Sequence, residues 1–305
     1  MTPPRKAALL LIGLVFGCAS QPLPLRDTTS DGSQVIRVDS NLVLVPVTVV
    51  DNGGTPVAGL AAPDFILKEE KATQAVVSVS RETAAVSLGV VLDVSGSMAV
   101  KMVKARVALK EFLKNLESDD ELFLVTFADR PELRIPFTSE PAAIQDAILV
   151  SRPGGSTALY DAIALAMSEM HKAQKQRKVL FLVSDGGDNN SRLTERELRR
   201  LVDEEDVQIH AIGIHDSFDR MDEARGPWIL EDLAKMTGGQ HHMVTNIGEL
   251  PHLAAKMSLG LHEYYLLGYR PTPPGQSGTF RRIEVQLVPR TSRARVYARK
   301  GYRMP

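Results

Sequence analysis

Cysteine is almost missing from this sequence. One residue in 305, Cys18, leaves no partner for an intramolecular disulfide and no thiolate cluster for a metal. An excess of either charge is missing too. Lys and Arg number 36 against 37 Asp and Glu, a formal net charge of −1, so no global field draws the chain to phosphate backbones and nucleic acid is not an expected partner. No apolar run reaches the roughly 20 residues that a membrane-spanning helix needs. G-x-S-x-G, P-loop and G-x-G-x-x-G patterns are all absent, which argues against a serine hydrolase and against nucleotide binding. What is present is ordinary for a globular chain, 44% apolar and 24% charged, with length enough for one large or two modest cores.

The single cysteine matters through its position. Arg5 and Lys6 precede the apolar stretch Ala7 to Phe16, and Val15-Phe16-Gly17-Cys18 closes it. This is the layout of an export signal, and its end resembles a bacterial lipobox, with Phe16 where a small or aliphatic residue is usual. The resemblance implies that residues 1–17 are a signal peptide, that Cys18 is lipidated, and that the protein sits exported at the cell envelope, anchored to a membrane. Several acyl chains on one cysteine make a stable anchor where one chain does not. Residues 18–34, rich in Pro, Ser, Thr, Asp and Gly, then read as a flexible tether.

Residues 35–82 are β-rich. Val35 to Val50 is dense in β-branched residues, Asp51-Asn52-Gly53-Gly54 is a turn signal, and Phe65 to Leu67 and Ala75 to Val79 are further short strands. From Val86 the pattern alternates. Strands are expected at Val86 to Leu92, Glu121 to Phe127, Leu133 to Phe137 (an edge), Lys178 to Val183, Val207 to Gly213 and His241 to Val244. Helices are expected at Met98 to Leu116, Pro141 to Val150 with Ser139 as N-cap, Ala158 to Lys172, a capping box at Thr194 and Glu197, Pro227 to Met236, and Ile247 to Leu261. Residues 86–261 therefore read as an α/β unit, a parallel or mixed sheet sandwiched by helices. Residues 262–305 return to β, with His262 to Tyr269 and Phe280 to Val288 read as a hairpin. Neither flank is large enough alone, so the expectation is one small β-sandwich-like domain, residues 262–305 pairing with 35–82 and the α/β unit inserted between them.

The chemistry gathers where strands of the α/β unit end. Asp93-Val94-Ser95-Gly96-Ser97 follows the first strand, Gly154-Gly155-Ser156-Thr157 precedes a helix, and Ser184-Asp185-Gly186-Gly187 follows the clearest central strand. Ligand sites of open α/β sheets lie at this end, and convergent carboxyl and hydroxyl oxygens suit a hard divalent ion. The ordered set DVSGS, GGST-ALYD and VSDGGDNN resembles the metal-ion-dependent adhesion site of von Willebrand factor A domains. That resemblance covers about Val86 to Leu261 and implies a Rossmann-like α/β fold, a mostly parallel sheet flanked by helices. It also implies a divalent cation, Mg²⁺ first with Mn²⁺ or Ca²⁺ as alternatives, held by Asp93, Ser95, Ser97, Thr157 and Asp185. The flanks resemble those of a bacterial group of von Willebrand-type proteins abundant in acidobacteria.

The implied role is binding without turnover: the ion captures an Asp or Glu of a partner protein. A metal-dependent hydrolase using Asp93 and Asp185, and an envelope-assembly role in which the ion only staples loops, are the alternatives. Loops Ala128 to Ile135, Asp188 to Leu193 and His215 to Gly226 would rim the site. His241-His242 reads as plain strand, since adjacent strand residues point oppositely, and Trp228 as packed on its helix. If the lipid anchor is real, Cys18→Ser moves the protein from the membrane fraction to the soluble fraction; retention in the membrane overturns it.

Overall fold

In the computed structural model, residues 42–214, 226–274, 276–289 and 294–304 are described. Cys18, the signal segment, the tether and most of the expected rim loop, residues 215–225, lie outside them.

Val86–Asp93 (β5) is buried at all eight positions, and a strand with no exposed face must lie inside a sheet covered on both sides. The sheet has six strands. Around β5 run Glu121–Phe127 (β6) and Pro131–Thr138 (β7) on one side. Arg177–Ser184 (β8), Gln208–Ile214 (β9) and His241–Val244 (β10) run on the other, in the order β10-β9-β8-β5-β6-β7. All pairings are parallel except the β6–β7 edge. Helices Met102–Leu113 (α1), Pro141–Val150 (α2) and Leu250–Leu259 (α6) seal one face; Leu159–Met170 (α3), Glu195–Glu204 (α4) and Gly226–Thr237 (α5) seal the other. Gly89 is demanded by this packing, because a Cβ there would sit 2.3 Å from Phe123 and 2.4 Å from Leu180. Among the described residues no helix is long and apolar enough to cross a membrane.

The flanks form two further four-stranded sheets that share one core. Val43–Val50 (β1), Val76–Thr83 (β4), Glu263–Tyr269 (β11) and Arg295–Ala298 (β13) make one, in the order β13-β1-β11-β4. Phe65–Glu69 (β2), Ala72–Gln74 (β3), Phe280–Leu287 (β12) and Gly301–Arg303 (β14) make the other, in the order β14-β12-β2-β3. Each sheet mixes strands from both ends of the chain. Val45, Val47 and Leu267 of the first face Leu67 and Ile283 of the second.

Four expectations are corrected here. β11 and β12 are not a hairpin: β1 and β4 occupy both edges of β11, so β12 has no edge to pair with and joins β2 in the other sheet. The N-cap of α2 is Glu140 and not Ser139, since Pro141 presets the backbone of the first helical residue. The loop expected at Ala128 to Ile135 shrinks to residues 128–130, because β7 already begins at Pro131. Trp228 is 72% exposed, because α5 buries Ile229, Leu230, Leu233 and Ala234 and turns Trp228 outward. The capping box at α4 forms as expected, with Thr194 Oγ1 accepting from Glu197 N and Glu197 Oε2 accepting from Thr194 N.

Polar bolts hold the inserted layer to the sandwich. His262 Nε2 lies 2.7 Å from Asp120 Oδ2, while Asp120 also accepts from Val86 N (2.8 Å) and Glu117 N (2.8 Å). Burial pushes the Asp120 carboxyl up, but these hydrogen bonds outweigh it and hold the group below the usual carboxylate range. A lowered carboxyl adds stability that is present above its unfolded pKa and lost as the pH falls through its folded pKa. Asp120→Asn should therefore cost about 1–3 kcal/mol at pH 7. The difference from wild type should shrink as the pH falls below about 4, read by urea unfolding across pH.

Candidate metal centre

β5 and β8 are neighbours whose chains leave toward opposite sides of the sheet, so their carboxyl ends bound a crevice where ligands of such sheets bind. Asp93 is the last residue of β5, and Asp185 follows the last residue of β8. Both are buried.

Asp93 is tightly held. Its Oδ1 accepts from Ser95 N (2.8 Å), its Oδ2 from the Ser184 hydroxyl (2.6 Å), and Ser184 Oγ accepts in turn from Gly186 N (2.9 Å). Even so, burial and then the charge of Asp185 push its pKa up to about 6, against the pull of the Ser184 and Ser95 hydrogen bonds. Downstream, a single helical turn, Gly96–Met98, brings Ser95 Oγ within 3.1 Å of Ser97 Oγ. Ser95 is buried and Ser97 exposed, so the hydroxyl pair reaches from the protein interior to the surface.

The three loops lock onto one another. Gly154 N donates to Val94 O (2.9 Å) and Gly96 N to Gly155 O (3.0 Å). Gly155 sits at φ 82° against the Asp129 carboxylate, where a Cβ would come within 2.8 Å of its oxygens, and Asp129 Oδ1 also accepts from Ser156 N (2.7 Å). Thr157 N donates to Asn189 Oδ1 (2.8 Å), and Thr157 O accepts from Asn189 N and Asn190 N. The loops carrying Asp93, Ser95 and Ser97, Thr157, and Asp185 thus lie at one end of the sheet.

Asp188, Asn189 and Asn190 spend their side chains inside the loops. Asp188 Oδ1 takes Tyr160 N and the Ser191 hydroxyl, and Asn190 Nδ2 donates to Asp129 O. His241 and His242 are half-buried on the edge strand β10, with burial lowering both pKa values. No histidine hydrogen-bonds the aspartates or serines of the site among the described residues. Nor do three or more His, Cys, Asp or Glu side chains of the described residues group to hold a metal, so a cation at this end would need hydroxyl oxygens as well as carboxylates.

Lys101 escaped the reading of the sequence. Its Nζ lies 3.1 Å from Asp185 Oδ2, and the two side chains are 2% and 7% exposed. A signal was available: Lys101 lies four residues before Ala105 on the buried stripe of α1, and a lysine there requires a counter-charge. Ser184, which no G-x-S-x-G pattern marks as a nucleophile, instead donates the hydroxyl that braces Asp93. With chelator present, Asp93→Asn should stabilise the protein by about 1–3 kcal/mol at pH 8, where the wild type must bury an ionised carboxylate. A carboxyl raised in the folded state costs stability only above its unfolded pKa, so the gain should disappear below about pH 4 in chemical unfolding curves.

Residues 88–187 match the family model of the von Willebrand factor type A domain. A solved von Willebrand factor type A protein from Catenulispora acidiphila is similar over 86% of this chain and 75% of its own, with TM-score 0.52 and 14% identity. In sequence, an uncharacterized protein of Synechocystis sp. is 28% identical over 194 residues, 59% of this chain and 44% of that one. A protein of Borreliella burgdorferi is 23% identical over 189 residues, 54% and 55% of the two chains. The chain spans about half the length of these curated relatives.

Proposed function

We propose that the von Willebrand factor type A domain of this chain is a metal-dependent protein-binding module, in which a divalent cation presents an open position to a carboxylate of a partner protein. Asp93, Ser95, Ser97, Thr157 and Asp185 would hold the ion. The donor set fits: two carboxylates and three hydroxyls are hard oxygens suited to Mg²⁺, Mn²⁺ or Ca²⁺. The two acids already call for nearby positive charge, as the raised Asp93 pKa and the buried Lys101 ammonium attest. When bound, the ion supplies a Lewis-acidic position whose residual charge attracts an acidic side chain.

The observation that favours a protein partner lies beside the site. Val100 and Val103 are 75% and 65% exposed where α1 begins, and Leu149 and Val150 are 60% and 70% exposed where α2 ends. Arg106 bridges the two helices, donating from Nε to Ile148 O (3.2 Å) and from Nη2 to Ser151 O (2.6 Å). Both helix ends lie at the end of the sheet that carries Asp93 and Asp185. Exposed aliphatic side chains grouped next to a charged site are what a protein interface uses and a small polar substrate does not. Metal stapling is less favoured, because the three loops already close on one another through backbone and side-chain hydrogen bonds. Exported placement through Cys18 puts the partner at the cell envelope.

Mg²⁺ at about 100 times its Kd should raise Tm by about 5 °C or more, and Asp185→Ala should abolish the shift. Lys101→Met removes a competing cation and should tighten Mg²⁺ binding about tenfold by calorimetry. Val103→Asp or Val150→Asp should leave the Mg²⁺ shift intact and abolish capture of envelope proteins by the immobilised chain. Capture unchanged by EDTA overturns the metal-dependent reading.

A further inference from the structure

Strand β8 carries charge at both ends: Asp185 follows its last residue, and Arg177 is its first. Arg177 is buried, 9% exposed. Its Nε donates to Leu261 O, and its Nη2 to Thr48 Oγ1 (3.2 Å) and Gln208 Oε1 (3.0 Å). The ring of Tyr264 lies 4.5 Å from Cζ. These contacts tie the α/β layer to the sandwich, yet none is a carboxylate. Burial pushes the guanidinium down to about 10.

A guanidinium has five N–H donors in a planar fork, and here the two on Nη1 have no acceptor among the described residues. Nη1 is not sealed either, since it is not among the buried unpartnered atoms of the described residues. Arg177 lines a cavity of about 270 Å³ in the seam between the layers, walled by Leu44 and Leu266 of the sandwich, Val202 of α4, Tyr264 and Gln208. Lys178, Asp203, Glu205, Asp206 and Arg299 also line it; Glu205 is paired with His171 (2.7 Å) and Asp206 with Arg299 (3.0 Å).

We propose that this cavity is a binding site for a small organic monocarboxylate, its carboxylate taken by the free edge of Arg177 and its apolar body by Leu44, Leu266 and Tyr264. The buried guanidinium of Arg177, hydrogen-bonded to no carboxylate, calls for one negative charge, and the three acids of the lining disfavour a dianion such as phosphate. The volume lies just below the roughly 300–1,000 Å³ of drug-sized sites, which sets the ligand near benzoate in size. The site is remote from Asp93 and Asp185 and does not depend on a metal there.

The test titrates the full chain with benzoate, hexanoate and the neutral isostere benzamide, following Tm and the amide NMR signals of Gln208 and Tyr264. Benzoate or hexanoate should bind saturably with Kd on the order of 1 mM, with benzamide at least tenfold weaker. Arg177→Gln should lose the carboxylate preference. Should that variant not fold, Leu44→Glu, at a 51% exposed position on the lip, places a like charge at the mouth and should weaken benzoate at least tenfold in a folded protein. Equal response to benzoate and benzamide, unchanged affinity in Leu44→Glu, or no saturable binding of either acid overturns the proposal.

Discussion

Two like charges held out of water govern the functional end of this molecule. Asp93 and Asp185 stand at the ends of neighbouring parallel strands, where burial and the charge of Asp185 raise the cost of ionising Asp93. The surrounding residues answer that cost. Ser95 N and Ser184 Oγ donate to Asp93, Lys101 brings an ammonium to Asp185, and the loops of Gly154 to Thr157 and Asp188 to Asn190 close around them. Among the described residues the printed cation contact goes to Asp185, and Asp93 is held by neutral donors alone. The hydroxyls of Ser95 and Ser97 carry the same oxygen-rich surface outward, next to aliphatic side chains that have no partner within the chain's own core.

The opposite end of the sheet obeys a related constraint with a different outcome. Inserting a layer of this size between two flanks leaves strand ends and polar groups at a seam, and buried polar groups must find partners. His262 with Asp120, and Arg177 with Thr48, Gln208 and Leu261 O, meet that demand. Inside the sandwich, buried Glu69 accepts from Tyr269, Tyr302 and Arg281. The Glu69 network joins residues from the two ends of the chain, so neither flank completes the polar core of the sandwich without the other. At Arg177 the buried guanidinium is met by a hydroxyl, an amide oxygen and a carbonyl, and by no carboxylate.

Where the sequence could be read, it was read through short-range periodicity and punctuation. The run Val86 to Leu92 announced a strand buried on both faces, the stripe of α1 was plain in Met102, Ala105, Leu109 and Phe112, and Thr194 with Glu197 marked the start of α4. The errors came where the deciding information lay far away in the chain. β11 and β12 look like hairpin arms because they are adjacent and joined by a Pro/Gly turn, yet β11 already has β1 and β4 on its edges. Trp228 reads as packed on its helix, while the helical phase set by Ile229, Leu230 and Leu233 faces it to solvent. Lys101 was hidden because a lysine on an apolar stripe makes sense only once Asp185, 84 positions later, is placed against it.

By itself the sequence determined the alternation of strands and helices, the ordered Asp, Ser, Thr and Asp pattern at strand ends, and the lack of cysteine pairs that could hold the fold covalently. These follow from local sterics, hydrophobic period and residue chemistry, which act within a few positions. The tertiary structure alone decided which sheet each flanking strand joined, which cation faces Asp185, why Asp93 resists ionisation, and which neutral acceptors meet Arg177. Each of those depends on burial and on distances between residues far apart in the chain, because desolvation and charge pairing belong to a place in the fold and to no single residue.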